Sequence, residues 1–155
     1  MLKNTEVTYK LSVRIISHRG NLNGPNSREN EPKYILEALS KGFEVEIDLW
    51  AIEDKLFLGD DFPEHEVNLD FLRQRDLWVH CKNLAALQLL SQYRRINCFS
   101  HKEDDFVLSS HGFIMLPPSM GYVKNCITMM PELNKEAKII EDCGGVITDF
   151  PLLYQ

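Results

Sequence analysis

Phe43-Glu44-Val45-Glu46-Ile47-Asp48-Leu49-Trp50 alternates apolar and acidic residues from Phe43 through Leu49. In a strand, such a run sends Phe43, Val45, Ile47 and Leu49 to one face and Glu44, Glu46 and Asp48 to the other. Two carboxylates two residues apart, Glu46 and Asp48, then project in the same direction. Upstream, Asn30 caps a helix whose first turn holds Glu31 and Pro32, whose apolar face is Ile35, Leu36, Ala38 and Leu39, and which Gly42 stops. Further upstream, Leu11 to Ser17 is β-branched and apolar enough for a strand, and it runs into His18-Arg19-Gly20 and a loop rich in Asn and Gly. Strand, loop, helix and strand follow one another.

Downstream, Glu53-Asp54-Lys55 makes a turn into Leu56-Phe57-Leu58, which ends at Gly59-Asp60-Asp61 and a loop containing Pro63. Leu77 to Cys81 reads as a further strand, and Asn83 caps a helix carrying Leu84, Leu87, Leu90 and Tyr93. Beyond Arg95 short strand-like runs predominate: Ile96 to Phe99, Phe106 to Leu108, Phe113 to Leu116, Ile127 to Met130 and Gly145 to Thr148. A last helix is expected over Pro131 to Cys143, ahead of Gly144-Gly145. Strands alternating with helices predict an α/β fold with parallel strands, and polar residues at strand C-termini suit the active-site mouth of a β/α barrel.

The chain has 155 residues, 44% hydrophobic and 26% charged, which is the composition of one globular domain. A standard β/α barrel needs roughly 200 residues or more, so several connecting helices must be reduced to loops. The expectation is a single domain over residues 1–155, with residues 1–10 as an N-terminal extension. A net charge of −6 argues against general attraction to nucleic acid or anionic membranes. The four cysteines, Cys81, Cys98, Cys126 and Cys143, form no CxxC pair, so free thiols in a reducing compartment are expected. No signal peptide and no apolar run of membrane-spanning length is evident, which predicts a cytoplasmic protein without integral membrane association.

His18-Arg19, Glu46 with Asp48, Asp60-Asp61 and His80-x-Lys82 all fall near expected strand ends. A carboxylate pair beside histidine suits a hard divalent cation such as Mg²⁺ or Ca²⁺, while Arg and Lys complement phosphate. Together with Glu29-Asn30, Leu58-Gly59-Asp60-Asp61, His80-Cys81-Lys82 and the closing Gly145 to Pro151, these segments resemble the glycerophosphodiester phosphodiesterases of the phospholipase-C-like phosphodiesterase superfamily. The resemblance runs in order through nearly the whole chain after about residue ten.

The resemblance implies a compact TIM-type β/α barrel that hydrolyses a small glycerophosphodiester-like substrate with a divalent metal. Carried over, His18 acts in acid–base catalysis, Arg19 and Lys82 face the phosphate, and Glu46 and Asp48 bind the metal. This sequence departs from the family at two positions. Asp60 stands where the family has its second catalytic histidine, as a substitute acid, a metal ligand or a simple turn residue. His80 stands where many members have a glutamate ligand, as a metal ligand or a histidine satisfied by a backbone hydrogen bond. The competing reading is a catalytically impaired homologue that binds a phosphorylated ligand or metal. His65, His101 and His111 are candidate replacement acids, and Asp149 either lines the mouth or ends a strand. The run His101, Glu103, Asp104 and Asp105 reads as a solvated loop. Oligomeric state has no sequence signal.

Overall fold

The structure is a computed structural model that describes residues 13–134 and 143–155. Its strands in chain order are β1 (Arg14–His18), β2 (Glu44–Ile52), β3 (Lys55–Leu58), β4 (His65–Val67), β5 (Leu77–Cys81), β6 (Asn97–Phe99), β7 (Val107–Leu108), β8 (Ile114–Leu116), β9 (Cys126–Met129) and β10 (Gly145–Thr148). The α-helices among the described residues are α1 (Pro32–Ser40), α2 (Leu69–Leu72) and α3 (Leu84–Leu90).

Seven strands run parallel in the order β6-β5-β2-β1-β10-β9-β8, and β7 adds to β8 as an antiparallel hairpin. β1 thus lies between β2 and β10, with Ile16 opposite both Glu44 and Ile147. Past the end of β1, the long β2 continues against β3, and β4 extends that antiparallel edge. At the far ends of the parallel run, Ser110 in the turn between β7 and β8 reaches β6. Its N–H donates to the Cys98 carbonyl at 2.8 Å, and its hydroxyl accepts from Cys98 N–H at 2.9 Å and donates to the Ile96 carbonyl at 3.1 Å. The sheet is therefore curled, and the fold is a reduced, barrel-like α/β arrangement with few and short helices. The β6–β7 and β8–β9 connections contain no α-helix.

The alternation of residues 43–50 sorts the two sides of this sheet. Val45, Ile47 and Leu49 are fully buried against Ile35 and Ala38 of α1 and Ala86 and Leu90 of α3. The inner side is filled by Ile16, Trp78, Phe99, Met115, Ile127 and Ile147, one or more from nearly every parallel strand. β2 alone sends acids inward. Glu44 is bonded to Arg14 at 2.7 Å and to Trp78 Nε1 at 3.3 Å, and the Arg14 guanidinium lies 4.9 Å from the Phe113 ring centroid. That cluster lies at the N-terminal end of the inner side, opposite the end that carries Glu46, Asp48 and His80.

Local sequence accounts for the helix boundaries. Asn83 caps α3 as expected: its Oδ1 accepts from Ala86 N–H, and the same side chain bonds both backbone groups of Ala51 on β2. Helix α1 begins with Pro32 after Glu31 and ends before Gly42, whose φ is 89°. Asn30 is not its cap: the residue at that position is Glu31, and Asn30 is turned into the fold with φ 62°. The loop after Pro63 carries β4 and α2, which are too short for periodicity to reveal. Of the helix expected from Pro131, Pro131–Leu133 is a 3-10 turn, and residues 135–142 lie outside the described residues, as do residues 1–10. No described helix is long and apolar enough to cross a membrane.

Candidate active site

The C-terminal ends of the parallel strands surround a cavity of about 620 Å³. His18, Arg19, Glu46, Asp48, His80 and Lys82 all line it. Asp60 does not; it stands behind the two cations, its Oδ1 accepting from Arg19 at 2.7 Å and from Lys82 at 3.0 Å.

His18 ends β1. Its Nδ1–H donates to Asp149 Oδ1 at 2.7 Å, which leaves Nε2 3.7 Å from Glu46 Oε2. Burial by itself lowers the pKa of this imidazole, but the Asp149 bond and the charge of Glu46 outweigh it and the pKa is raised. Asp149 also accepts from Asn21 at 2.8 Å, and these bonds outweigh burial to hold its carboxyl below the ordinary range. Glu132 fixes the end of β10 from the other side, accepting from the Asp149 N–H and the Thr148 hydroxyl.

The turn after His18 is tight because Arg19 and Gly20 both have positive φ, 59° and 89°. A β-carbon at Gly20 would lie 3.1 Å from the Tyr34 ring and 3.3 Å from the Ile35 nitrogen, so helix α1 packs on bare backbone there. The turn places the Arg19 guanidinium among three carboxylates: Asp48 at 2.8 Å, Asp60 at 2.7 Å and Glu29 at 3.3 Å. Burial works against its charge, yet the charges of Asp48, Glu46 and Asp60 raise its pKa.

Glu46 and Asp48 share a face but not an environment. Asp48 accepts from His80 Nδ1–H and from Asn30 Nδ2–H, both at 2.9 Å, and Asn30 Oδ1 accepts from the Asp48 N–H. Despite burial, these bonds and Arg19 push its carboxyl pKa down. Glu46 is 5% exposed, and its Oε2 has no hydrogen-bond partner. Burial and the charge of Asp48 push its pKa up, only partly offset by His18, His80 and Arg19.

His80 donates through both ring nitrogens, Nδ1 to Asp48 and Nε2 to the His101 carbonyl at 3.3 Å, an arrangement of imidazolium type. Burial opposes its charge, while the bond to Asp48 and the charge of Glu46 raise its pKa. Its ring stacks on His101 at 4.8 Å and Phe99 at 5.1 Å.

Ligand atoms of Glu46, Asp48 and His80 lie within 4.8 Å of one another. A buried carboxylate oxygen without a partner is costly, and either a proton or a cation relieves it. The residues fit a divalent cation on that ground. Glu46 supplies a free oxygen and Asp48 a second hard donor; His80 joins only by giving up one of its two present bonds.

Sequence reading left several members of the site unassigned. Asp149 was ambiguous because Asp before Phe-Pro is also turn chemistry, and Asn21 gave no signal. Asn30 looked like a helix cap. The run His101, Glu103, Asp104 and Asp105 is a loop exposed from residue 102 on, as its charge predicts, and His101, Lys102, Glu103 and Asp104 border the cavity from it. His65 and His111 are outside the cavity. Cys81, Cys98 and Cys126 are free thiols. No family model, curated protein or solved structure matches the chain, which leaves the geometry of this cavity as the ground for its function.

Proposed function

We propose that this chain is a metal-dependent phosphodiester hydrolase of the glycerophosphodiester phosphodiesterase type. Its barrel would be a reduced TIM-type one, and its substrate a small glycerophosphodiester-like molecule. The observation that carries this reading is one cavity wall holding a buried, unpartnered Glu46 oxygen beside Asp48, an Asp149-oriented His18, and the cations Arg19 and Lys82.

His18 is built as a proton carrier. Its Nδ1–H is fixed by Asp149, so Nε2 is the nitrogen left to take a proton from an attacking hydroxyl. Arg19 and Lys82 offset the phosphoryl charge, Lys82 as a compact cation and Arg19 as a fork already anchored by three carboxylates. A divalent cation, Mg²⁺ or Ca²⁺, held by Glu46 and Asp48 would supply Lewis-acid polarisation of a phosphoryl oxygen. The free thiols of Cys81, Cys98 and Cys126 fit a reducing, cytoplasmic setting.

A specific observation favours a second reading, a homologue that binds phosphorylated ligands without turnover. Asp60 accepts from both Arg19 and Lys82 and does not line the cavity, so the family's second histidine has no replacement at its own position.

Hydrolysis of glycerophosphodiesters and a chromogenic phosphodiester, with Mg²⁺, Ca²⁺ or chelator, separates the two. The hydrolase reading expects cation-dependent turnover that His18→Ala abolishes. An inert parent with an active Asp60→His variant would instead establish the binder.

A further inference from the structure

The cavity is divided. The side formed by β1, β2 and β5 is charged, whereas Met129 at the end of β9, with Pro117, Pro118, Met130 and Leu133 from the segments that follow β8 and β9, makes the other side apolar. We infer that these five residues form a subsite for an apolar substituent of the phosphodiester, so that the preferred substrate carries an alkyl or aryl group on one ester oxygen. The inference rests on the phosphodiesterase reading of the charged side and adds the substrate class.

Two independent observations support it. The first is continuity: the charged and apolar residues line the same space, so a phosphate at His18 and Lys82 leaves a substituent beside the apolar wall. Binding pockets combine such a wall with a few convergent polar groups, and methionine adapts its shape to varied apolar partners. The second is backbone strain at Met130, which has φ 50° and ψ 54°, a left-handed conformation that favours glycine or asparagine. Its N–H donates to the Ile147 carbonyl at 2.7 Å, and its carbonyl accepts from Leu133 N–H at 3.0 Å. The fold thus holds a long thioether side chain on the cavity wall at a position where a side chain is disfavoured. Strain of this kind concentrates at ligand-binding positions. Leu133, three residues on, lines the same cavity and is 71% exposed among the described residues.

The test is a chain-length series read in two ways. p-Nitrophenyl phosphodiesters whose second ester is methyl, butyl or octyl share one leaving group, and kcat/KM is followed along the series. Binding of methyl-, butyl- and octylphosphonate is followed by calorimetry. Full burial of each added methylene corresponds to about a fourfold gain, so a clear rise from methyl to butyl is expected in both readouts. Met130→Gly, which relieves the strained backbone, should keep or raise the melting temperature while flattening the dependence, and Leu133→Asp should flatten it too. Leu153→Asp, at a 76% exposed leucine outside the cavity, should leave it intact.

Turnover of the methyl ester with no chain-length dependence in either readout overturns the subsite and leaves the hydrolase. Absence of turnover with chain-dependent phosphonate binding, lost in Met130→Gly, overturns the hydrolase and leaves the subsite. Dependence that persists in both cavity variants overturns the assignment to this wall.

Discussion

Replacing Glu46 with Gln should stabilise the metal-free protein and abolish its response to divalent cations. Above its raised pKa of about 7, the folded parent holds a charge at Glu46 that is buried, lies beside Asp48 and has an oxygen without a hydrogen-bond partner. Leaving such a group unsatisfied costs about 1–3 kcal/mol. Gln removes the charge at almost constant volume, so most of that cost should be recovered. For a domain of this size, 1 kcal/mol moves the melting temperature by about 2–4 °C, which puts the expected gain at roughly 2–10 °C near pH 8 in chelator.

The sign with pH follows from the raised pKa. The folded state holds the Glu46 proton more tightly than the unfolded chain, so the associated stability is full at acid pH and is lost as pH rises through the folded value. The advantage of Gln should therefore shrink on acidification. In the parent, cation at about a hundred times its dissociation constant adds about 2.7 kcal/mol, and Glu46→Gln should show little of this shift. Thermal melts of both proteins, with chelator and with Mg²⁺ or Ca²⁺, at two pH values, test every part. A variant that melts lower than the parent in chelator, yet keeps the full cation shift, would refute the reasoning.

Asp149→Asn keeps the shape but removes the acceptor that holds His18 Nδ1–H, so turnover should fall about 10²–10⁴-fold with a nearly unchanged circular dichroism spectrum; an unchanged rate would remove Asp149 from the mechanism. Ser110→Ala deletes two of the three bonds that Ser110 makes to residues 96–98, leaving the Cys98 N–H without its acceptor, and should cost about 1–3 kcal/mol in urea unfolding. Cation binding followed by calorimetry should weaken as pH falls, since protons compete at Glu46 and His80, and it should release protons on binding.

How much of this was legible depended on the range of the forces involved. The faces of β2 were readable because strand alternation is a property of neighbouring residues, and that alone paired Glu46 with Asp48. Asn83 was readable because its cap lies three residues away, and the sequence placed β5 and β10 within the same bounds as the structure. Asn30 misled for the complementary reason. An asparagine before Glu-Pro has every local mark of a helix cap, yet its side chain bonds Asp48, eighteen positions on. The His18 partnership with Asp149 and the apolar wall opposite it are products of sheet order, which no local pattern encodes. β4 and α2 span three and four residues, fewer than periodicity needs.

The neighbouring placement of β1 and β10 has a kinetic corollary. His18 and Asp149 are 131 positions apart, so their bond closes a loop spanning most of the chain, and contacts of such separation form slowly because chain entropy is lost before they are rewarded. A nascent chain lacking β10 holds Glu46, Asp48 and His80 but neither the second neighbour of β1 nor the acceptor for His18. Under the proposed function, proton-transfer competence would therefore arrive with the docking of β10 rather than accumulate strand by strand, and a chain trapped before that step would present Glu46, Asp48 and His80 without an oriented His18.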